Sequence, residues 1–169
     1  MRISQCRYIA VYSVTTTDNS TSETQSSSVN PMPNRLSMVV FSGTVDRLYP
    51  AAIMASGAVA MGMDVDIFLT FYGLDAFRNG NPKTNQKMDM NYKELAPMLA
   101  QLMKEKNVPS WYDMIRKAKE IGNVRVHACA MTLDLMGLKK EDLDPIVDDV
   151  VGVGEFVSEA KEGEITLFL

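Results

Sequence analysis

Cysteine, histidine and tryptophan are scarce in this chain of 169 residues, which holds two cysteines, one histidine and one tryptophan. Two cysteines cannot build a disulfide framework, and no CxxC pair or Cys/His cluster indicates a zinc site. A single histidine leaves little room for a conventional catalytic triad, and the GxSxG motif is absent. We therefore expect no metal and no cofactor, and we expect a reduced, cytoplasmic protein.

An excess of positive charge and long apolar runs are also lacking. The formal net charge is -4, whereas a nucleic-acid-binding protein carries a basic face, so we expect no nucleic-acid partner. The longest weakly polar run, residues 49–63, is interrupted by Ser56, Gly57 and Gly62 and is shorter than the ~20 apolar residues that a membrane span needs. We therefore expect no membrane span. The content of 46% hydrophobic and 22% charged residues is typical of a globular chain with a core.

The composition of the chain changes near Arg35. Residues 13–28 are mostly Ser and Thr without apolar periodicity, so they cannot bury enough apolar surface to offset their ordering entropy. Pro31 and Pro33 then stop any helix. We expect residues 1–34 to form a disordered Ser/Thr-rich N-terminal segment, with Met32 as an alternative start, and residues 35–169 to form one α/β domain.

Short apolar runs alternate with helical patterns after Arg35. The runs predict strands over residues 36–41, 65–71, 124–128, 147–151 and 165–169, and the helical patterns cover residues 45–61, 94–106, 111–121, 132–136 and 153–160. Pro50 fits best in a first turn, so the first helix could begin near Tyr49. Residues 75–92 read as a polar loop. Strands joined through helices are parallel, and the alternation predicts a three-layer α/β sandwich around a mostly parallel five-stranded sheet.

Candidate site residues follow three of the predicted strands. In open α/β sheets, ligands bind at the carboxyl ends of the strands, and here these ends lead into Ser42-Gly43-Thr44, Phe71-Tyr72-Gly73 and Cys129. Cys129 is the strongest candidate, because amides at a helix N-terminus stabilise a thiolate or a persulfide. An inert, buried cysteine that acts as a small hydrophobic residue explains the position equally well.

Other candidates are weaker. His127 should share a strand face with Cys129 and could supply a proton or a positive charge, but we favour a polar strand residue satisfied by a backbone group. The Ser42-Gly43-Thr44 turn could hold a phosphate in a nucleotide- or flavin-binding module, yet it lacks the lysine and glycines of a P-loop. Cys6 is best explained as a bystander. Methionines on the predicted helix over residues 94–106 suggest apolar filling or a partner-facing surface.

Three segments together resemble the DsrE/DsrF-like family, in particular its DsrE-like subgroup that is loosely called peroxiredoxin-like. They are FSGTVDRLYPAAIMASGAVAMGMDVDIFLTFYGL (residues 41–74), VHACAMTLDLMGLKKEDL (residues 126–143) and GVGEFVSEAKEGEITLFL (residues 152–169). The resemblance implies a flavodoxin-like fold, assembly as homotrimers or hexamers, and a sulfur-transfer role with the sulfur carried on Cys129. It also implies exchange with small carrier proteins of the TusA type and rhodanese-like donors. Two departures are the polar stretch 75–98 and Thr132, where such proteins commonly have serine.

These observations predict a sulfur carrier or sulfurtransferase-like protein. Cys129 would take sulfane sulfur from a donor, as a persulfide or thiosulfonate, and yield it to an acceptor thiol. The backbone amides around Met131 and Thr132 would stabilise the charge, while Gly43 and Tyr72-Gly73 would form the pocket walls. The alternative is a non-enzymatic assembly or regulatory subunit of a homo-oligomer, in which the cysteine is inert.

Overall fold

The computed structural model describes residues 34–169, so the expectations for Cys6 and for nearly all of the segment 1–34 lie outside the described residues. The five strands are β1 (Arg35–Val40), β2 (Asp64–Leu69), β3 (Val124–Cys129), β4 (Asp149–Val151) and β5 (Ile165–Phe168). The α-helices are α1 (Val45–Ala60), α2 (Phe71–Asp75), α3 (Asn81–Thr84), α4 (Ala96–Glu105), α5 (Trp111–Ile121), α6 (Ala130–Met136) and α7 (Val153–Ala160). Two 3₁₀ helices cover Met90–Leu95 and Lys140–Asp142.

The strands form one sheet in the order β4-β3-β2-β1-β5, and every neighbouring pair is parallel. The chain steps outward from β1 to β4 and then returns past β1 to β5. Because crossovers between parallel strands are right-handed, this reversal puts α7 on the opposite face of the sheet from α1 and α5. The predicted flavodoxin-like three-layer sandwich is confirmed, with a sheet that is wholly parallel.

One face of the sheet is aliphatic. Alternate strand residues point towards α1 and α5, and they are almost fully buried: Leu36, Met38, Val40, Val65, Ile67, Leu69, Val124, Val126 and Ala128. Helix α1 approaches them closely through its small residues Ala51, Ala52 and Ala55. Trp111, at the start of α5, packs edge-on against Phe77 with ring centroids 5.2 Å apart. This half of the molecule is the main core.

The other face of the sheet combines a small apolar cluster with polar side chains. Phe68 stacks on Phe156 of α7 with centroids 4.6 Å apart, and Cys129 and Ala160 complete the buried cluster. The remaining positions of this face include Ser37, Asp66, Arg125 and His127, three of which are buried. Successive residues of a strand point to opposite faces of the sheet, so the same strands supply the aliphatic face and this mixed face.

Most predicted helix ends are confirmed by local hydrogen bonds. Ser110 caps α5, since its hydroxyl accepts the N–H of Asp113 at 3.0 Å. After α1, Met63 N–H donates to Ala58 C=O and Gly62 N–H to Val59 C=O, which is the Schellman arrangement. These short-range signals made the bounds of the helices readable from the sequence.

Three predicted features are wrong in detail. Helix α1 begins at Val45, as its predicted range does, so the alternative start near Tyr49 is wrong and Pro50 lies inside the helix, where it forgoes one backbone hydrogen bond. Tyr72-Gly73 lies in the short helix α2 and does not simply close a strand. The polar stretch 75–92 contains α3 and the start of a 3₁₀ helix, because the Asn81 side chain donates to Asp75 C=O and Asp89 caps the 3₁₀ helix.

Helix α4 and Leu95, the residue just before it, expose apolar side chains. Leu95, Met98, Leu99 and Leu102, which the sequence places on one helix face, are 37–63% exposed within the described part of the chain. None of the helices described in residues 34–169 is long and apolar enough to cross a membrane.

Candidate functional site

The loops after β1 and β2 interlock at the carboxyl edge of the sheet. Gly73 N–H donates to Phe41 C=O at 2.9 Å, and Thr70 N–H donates to Val40 C=O at 3.0 Å. A Cβ atom on Gly73 would lie 2.1 Å from the Val40 carbonyl oxygen, and one on Gly43 would lie 2.3 Å from the Tyr72 carbonyl oxygen. Only glycine allows the two backbones to approach so closely. The structure therefore brings the predicted wall residues, Gly43 and Tyr72-Gly73, together.

Thr132 ties helix α6 to this edge. Its hydroxyl oxygen lies 3.1 Å from the hydroxyl of Thr70 and accepts the backbone N–H of Phe71 at 3.2 Å. Phe71 has a φ of 47°, a left-handed conformation that is unfavourable for a bulky residue, so the hydrogen bond holds it against local strain. Thr132 is buried, whereas Met131 and Tyr72 are more than 70% exposed. Of the predicted binding groups, these two face outward.

Cys129 is the last residue of β3 and the N-cap of α6. The residue is 5% exposed, and it belongs to the buried cluster with Phe68 and Phe156. The Cys129 side chain makes no capping hydrogen bond with the first turn of α6. The stabilisation of its thiolate by the amides of Met131 and Thr132 stays a prediction.

A buried carboxylate organises the polar part of the same sheet face. Asp66 is 2% exposed, and its two carboxylate oxygens accept hydrogen bonds from Arg125. The N···O distances are 2.9 Å from Nε and 3.2 Å from Nη2. Arg35 Nε lies 3.3 Å from Asp66, and Arg125 also reaches Glu159 of α7 at 3.2 Å. Burial alone would raise the pKa of Asp66, but hydrogen bonds from His127 and Arg125 and the nearby guanidinium charges lower it.

His127 lies between two carboxylates. Its Nδ1 is 2.5 Å from an Asp149 oxygen, and its Nε2 is 3.4 Å from an Asp66 oxygen. Burial alone would lower the pKa of His127, but the hydrogen bonds and negative charges of Asp66 and Asp149 outweigh burial and raise it. The interpretation favoured from sequence, a backbone partner for this ring, is therefore wrong, because strand register places carboxylates at both nitrogens.

Sequence reasoning missed the residues around His127 altogether. Asp66 and Arg125 each interrupt an apolar run, and neither has an informative neighbour in sequence. They are directly opposite each other in the β2–β3 register, as His127 and Asp149 are in the β3–β4 register. The usable signal was the alternation itself: Arg125, His127 and Cys129 occupy every second position of one strand.

The turn after β1 is closed to a phosphate in this conformation. The first amide of α1, Val45 N–H, donates to Lys87 C=O at 2.7 Å, and the Asn85 side chain donates to Gly43 C=O at 2.8 Å. The Asp46 carboxylate in the same turn accepts Asp89 N–H. A peptide segment and a carboxylate thus occupy the position that a phosphate would need, which weakens the interpretation as a nucleotide- or flavin-binding module.

Other possible sites lie elsewhere. A cleft lined by Ser56, Val59, Pro109 and residues of α5 lies on the α1/α5 side of the sheet, away from Cys129. Among residues 34–169, no group of three or more His, Cys, Asp or Glu side chains is arranged to hold a metal ion. The carboxyl edge with Cys129 is therefore the candidate site.

Sequence comparison places this architecture in a family. The model of the DsrE/DsrF/DrsH-like family matches residues 33–101 and 86–168, which together span the whole described domain. The chain belongs to the DsrE/DsrF/DrsH-like family. This membership confirms the resemblance carried by the segments 41–74, 126–143 and 152–169.

Two curated proteins are similar to this chain over most of their length. The chain is 36% identical to the uncharacterized protein YrkE of Bacillus subtilis over 157 residues, covering 80% of this chain and 96% of YrkE. It is 30% identical to the sulfur carrier protein DsrE2 of Allochromatium vinosum over 158 residues, covering 80% of this chain and 98% of DsrE2. A solved structure, the protein of unknown function MTH1491 from Methanobacterium thermoautotrophicum, aligns with a TM-score of 0.49 and 19% identity over 80% of this chain and 98% of MTH1491.

Proposed function

We propose that this protein is a sulfur carrier that holds sulfane sulfur on Cys129 and passes it to an acceptor thiol. The observation that carries the proposal is the position of Cys129, the only cysteine of residues 34–169, at the carboxyl edge of the sheet. Family membership and the 30% identity to a protein named as a sulfur carrier support it. Gly43 and Tyr72-Gly73 form the neighbouring wall of this edge.

The chemistry is thiol–persulfide exchange. The Cys129 thiolate attacks the outer sulfur of a donor persulfide, R–S–SH; the donor S–S bond breaks, and a new S–S bond forms on Cys129. The leaving thiolate takes up the proton that Cys129 lost, so Cys–SH and R–S–SH become Cys–S–SH and R–SH. An acceptor thiolate then attacks the outer sulfur, and Cys129 leaves as the thiolate. No external oxidant or reductant enters either step.

Access to the sulfur is the main physical demand on this mechanism. A donor must bring its sulfur to within about 3.5 Å of the Cys129 sulfur, and the residue is 5% exposed. We infer that the carboxyl edge opens locally beside Met131 and Tyr72, the exposed residues of the site, and that small reagents and a docked donor reach the sulfur there. The amides of Met131 and Thr132 then lie nearest to the anionic sulfur.

The biological setting of the proposal follows the family resemblance. Donors would be rhodanese-like proteins, and acceptors would be small carriers of the TusA type. The chain would act in the cytoplasm as a homotrimer or hexamer, with residues 35–169 as the family domain and residues 1–34 as a disordered segment.

Mass spectrometry of the intact protein tests the carrier role. After incubation with polysulfide or tetrathionate, we expect a reductant-sensitive sulfur or thiosulfonate adduct on Cys129. Cys129→Ser removes this adduct, while Cys6→Ser is the matched control that retains it. An unmodified Cys129 in the folded wild-type protein would refute the proposal.

Burial favours a second candidate, a non-enzymatic assembly or regulatory subunit with an inert cysteine. Cys129 packs against Phe68 and Phe156 as a small core residue would. Iodoacetamide, an uncharged alkylating probe, separates the candidates. A carrier thiol is alkylated through local opening of the edge, and therefore faster than the whole protein unfolds, whereas a core thiol reacts only as fast as the protein unfolds.

A further inference from the structure

Strand β3 lines up a cation and the candidate nucleophile. Arg125, His127 and Cys129 occupy alternate positions on one face of β3, and successive residues on a strand face are about 6.6 Å apart. On the neighbouring strand β4, Asp149 is opposite His127 and Val151 is opposite Cys129. The His127 ring is therefore the ionisable group one step along the strand from the sulfur.

The surroundings of His127 favour its charged form on geometric grounds. A carboxylate only accepts hydrogen bonds, and each ring nitrogen faces a carboxylate oxygen, so both nitrogens are served only when both carry protons. The negative charges of the two carboxylates also raise the pKa of His127, in the same direction. His127 and Asp66 are both buried, so solvent screens their interaction weakly, whereas the Asp149 carboxylate is half exposed.

The groups facing the ring come from every element that packs around it. Asp66 comes from β2 and Asp149 from β4, while Arg35 of β1, Arg125 of β3 and Glu159 of α7 join through Asp66 and Arg125. With the imidazolium included, these groups hold three positive and three negative charges. The network is balanced only when His127 is protonated.

We propose that His127 is a positioning residue for sulfur chemistry: its imidazolium, clamped between Asp66 and Asp149, supplies the positive charge that stabilises an anionic sulfur on Cys129. The inference rests on the proposed carrier function and deepens it. Thiolate, persulfide anion and thiosulfonate all carry negative charge at or next to this sulfur, so one cation serves each step of exchange. Loss of the proton from His127 then weakens the site as pH rises.

The pH profile of Cys129 alkylation by iodoacetamide tests the coupling in the full chain carrying Cys6→Ser. We expect His127→Gln to move the thiol inflection upward by about one pH unit, which slows alkylation about tenfold below the inflection. A structural role would change the height of the profile and not the inflection. Glu164→Gln, which removes an exposed charge just before β5, is the matched control and should leave the inflection in place.

If His127→Gln does not fold, Asp149→Asn is the second test variant, because it keeps the imidazole ring. The chain holds a single histidine, so its imidazole titration can be followed by NMR without ambiguity. We expect Asp149→Asn to shift the histidine titration to lower pH, and the histidine-linked step of the alkylation profile should move with it. An alkylation step that stays in place while the histidine titration moves overturns the coupling.

The two proposals fail in different ways. If His127→Gln moves the thiol inflection but no sulfur adduct forms on Cys129, the coupling stands and the carrier function falls. If the adduct forms and the inflection is the same in wild type and His127→Gln, the coupling is refuted alone. A folded protein that shows no alkylation at any pH overturns both, since neither a reagent nor a donor then reaches the Cys129 sulfur.

Discussion

The two faces of the sheet are built from the same five strands but have different chemistry. Towards α1 and α5, alternate residues such as Met38, Ile67 and Val126 form a continuous aliphatic layer. Towards α7, the intervening positions hold Asp66, His127 and a short cluster around Cys129. A parallel sheet usually buries apolar residues on both faces, so the polar face departs from the pattern.

The two faces contribute to the stability of the fold in different ways. Aliphatic burial contributes a stabilisation that is proportional to area and independent of pH, whereas the network around Asp66 depends on the protonation of each member. Placing both on one sheet gives the polar face a rigid support. We expect substitutions on the two faces to affect stability in these separate ways.

The largest effect is expected on the aliphatic face. Ile67→Ala should lower the free energy of unfolding by about 3–4 kcal/mol, because it removes a fully buried side chain and leaves a cavity. Urea unfolding measures the change. Ser37→Ala, at a buried position of the other face, is the control, and it should cost less than about 0.5 kcal/mol, because Ser37 Oγ has no hydrogen-bond partner within residues 34–169. Equal losses would contradict the contrast.

A smaller loss of unfolding free energy is expected when the centre of the polar network is substituted. Asp66→Asn keeps the side-chain volume but removes the negative charge that faces Arg125, Arg35 and His127. We expect a loss of about 2 kcal/mol, below the full cost of an unpaired buried charge, because both guanidinium groups are partly exposed. Urea unfolding at pH 6 measures this change. No loss at that pH would mean that the network contributes nothing to stability.

The smallest effect is the dependence of stability on pH that the polar network contributes. The folded-state pKa of His127 is raised above 6.5, so its stabilisation is fully present below pH 6.5 and is lost as pH rises through the raised value. The pKa of Asp66 is lowered below 3.8, so its stabilisation is present above pH 3.8 and is lost as pH falls through the lowered value. We expect the thermal midpoint to be highest between these limits.

His127→Gln provides the check on this assignment. Above pH 6.5 the wild-type midpoint should decline, and His127→Gln should reduce that decline, whereas Ile67→Ala should lower the whole curve without changing its shape. Calorimetry or circular dichroism at constant ionic strength measures both. If the midpoint of His127→Gln declines as the wild-type midpoint does, the decline comes from other titrating groups.

Much of the fold could be predicted because its signals are local. Short apolar runs marked the strands, Ser110 marked the start of α5, and the interval before the last apolar run marked α7. These elements lie within one or two residues of their expected bounds. The placement of Cys129 at a strand end followed from the same patterns. The DsrE/DsrF-like resemblance added the family, which the comparisons confirm.

The polar network could not be predicted because its signals are long-range. Asp66 and Arg125 are 59 positions apart and meet only through strand register. Short helices were missed for a related reason: α2 is held by the strained Phe71 and by Thr132, a partner 61 positions away, and not by its own periodicity. Local propensity carries no information about such partners.

The position of the only tryptophan gives this molecule a built-in optical probe. Trp111 is buried against Phe77 on the α1/α5 side, so its emission reports the solvation of that half alone. Sulfur loading or docking at the opposite layer would leave the fluorescence spectrum unchanged unless the distortion spread through the sheet. A change in emission on loading would therefore be direct evidence of mechanical communication between the layers.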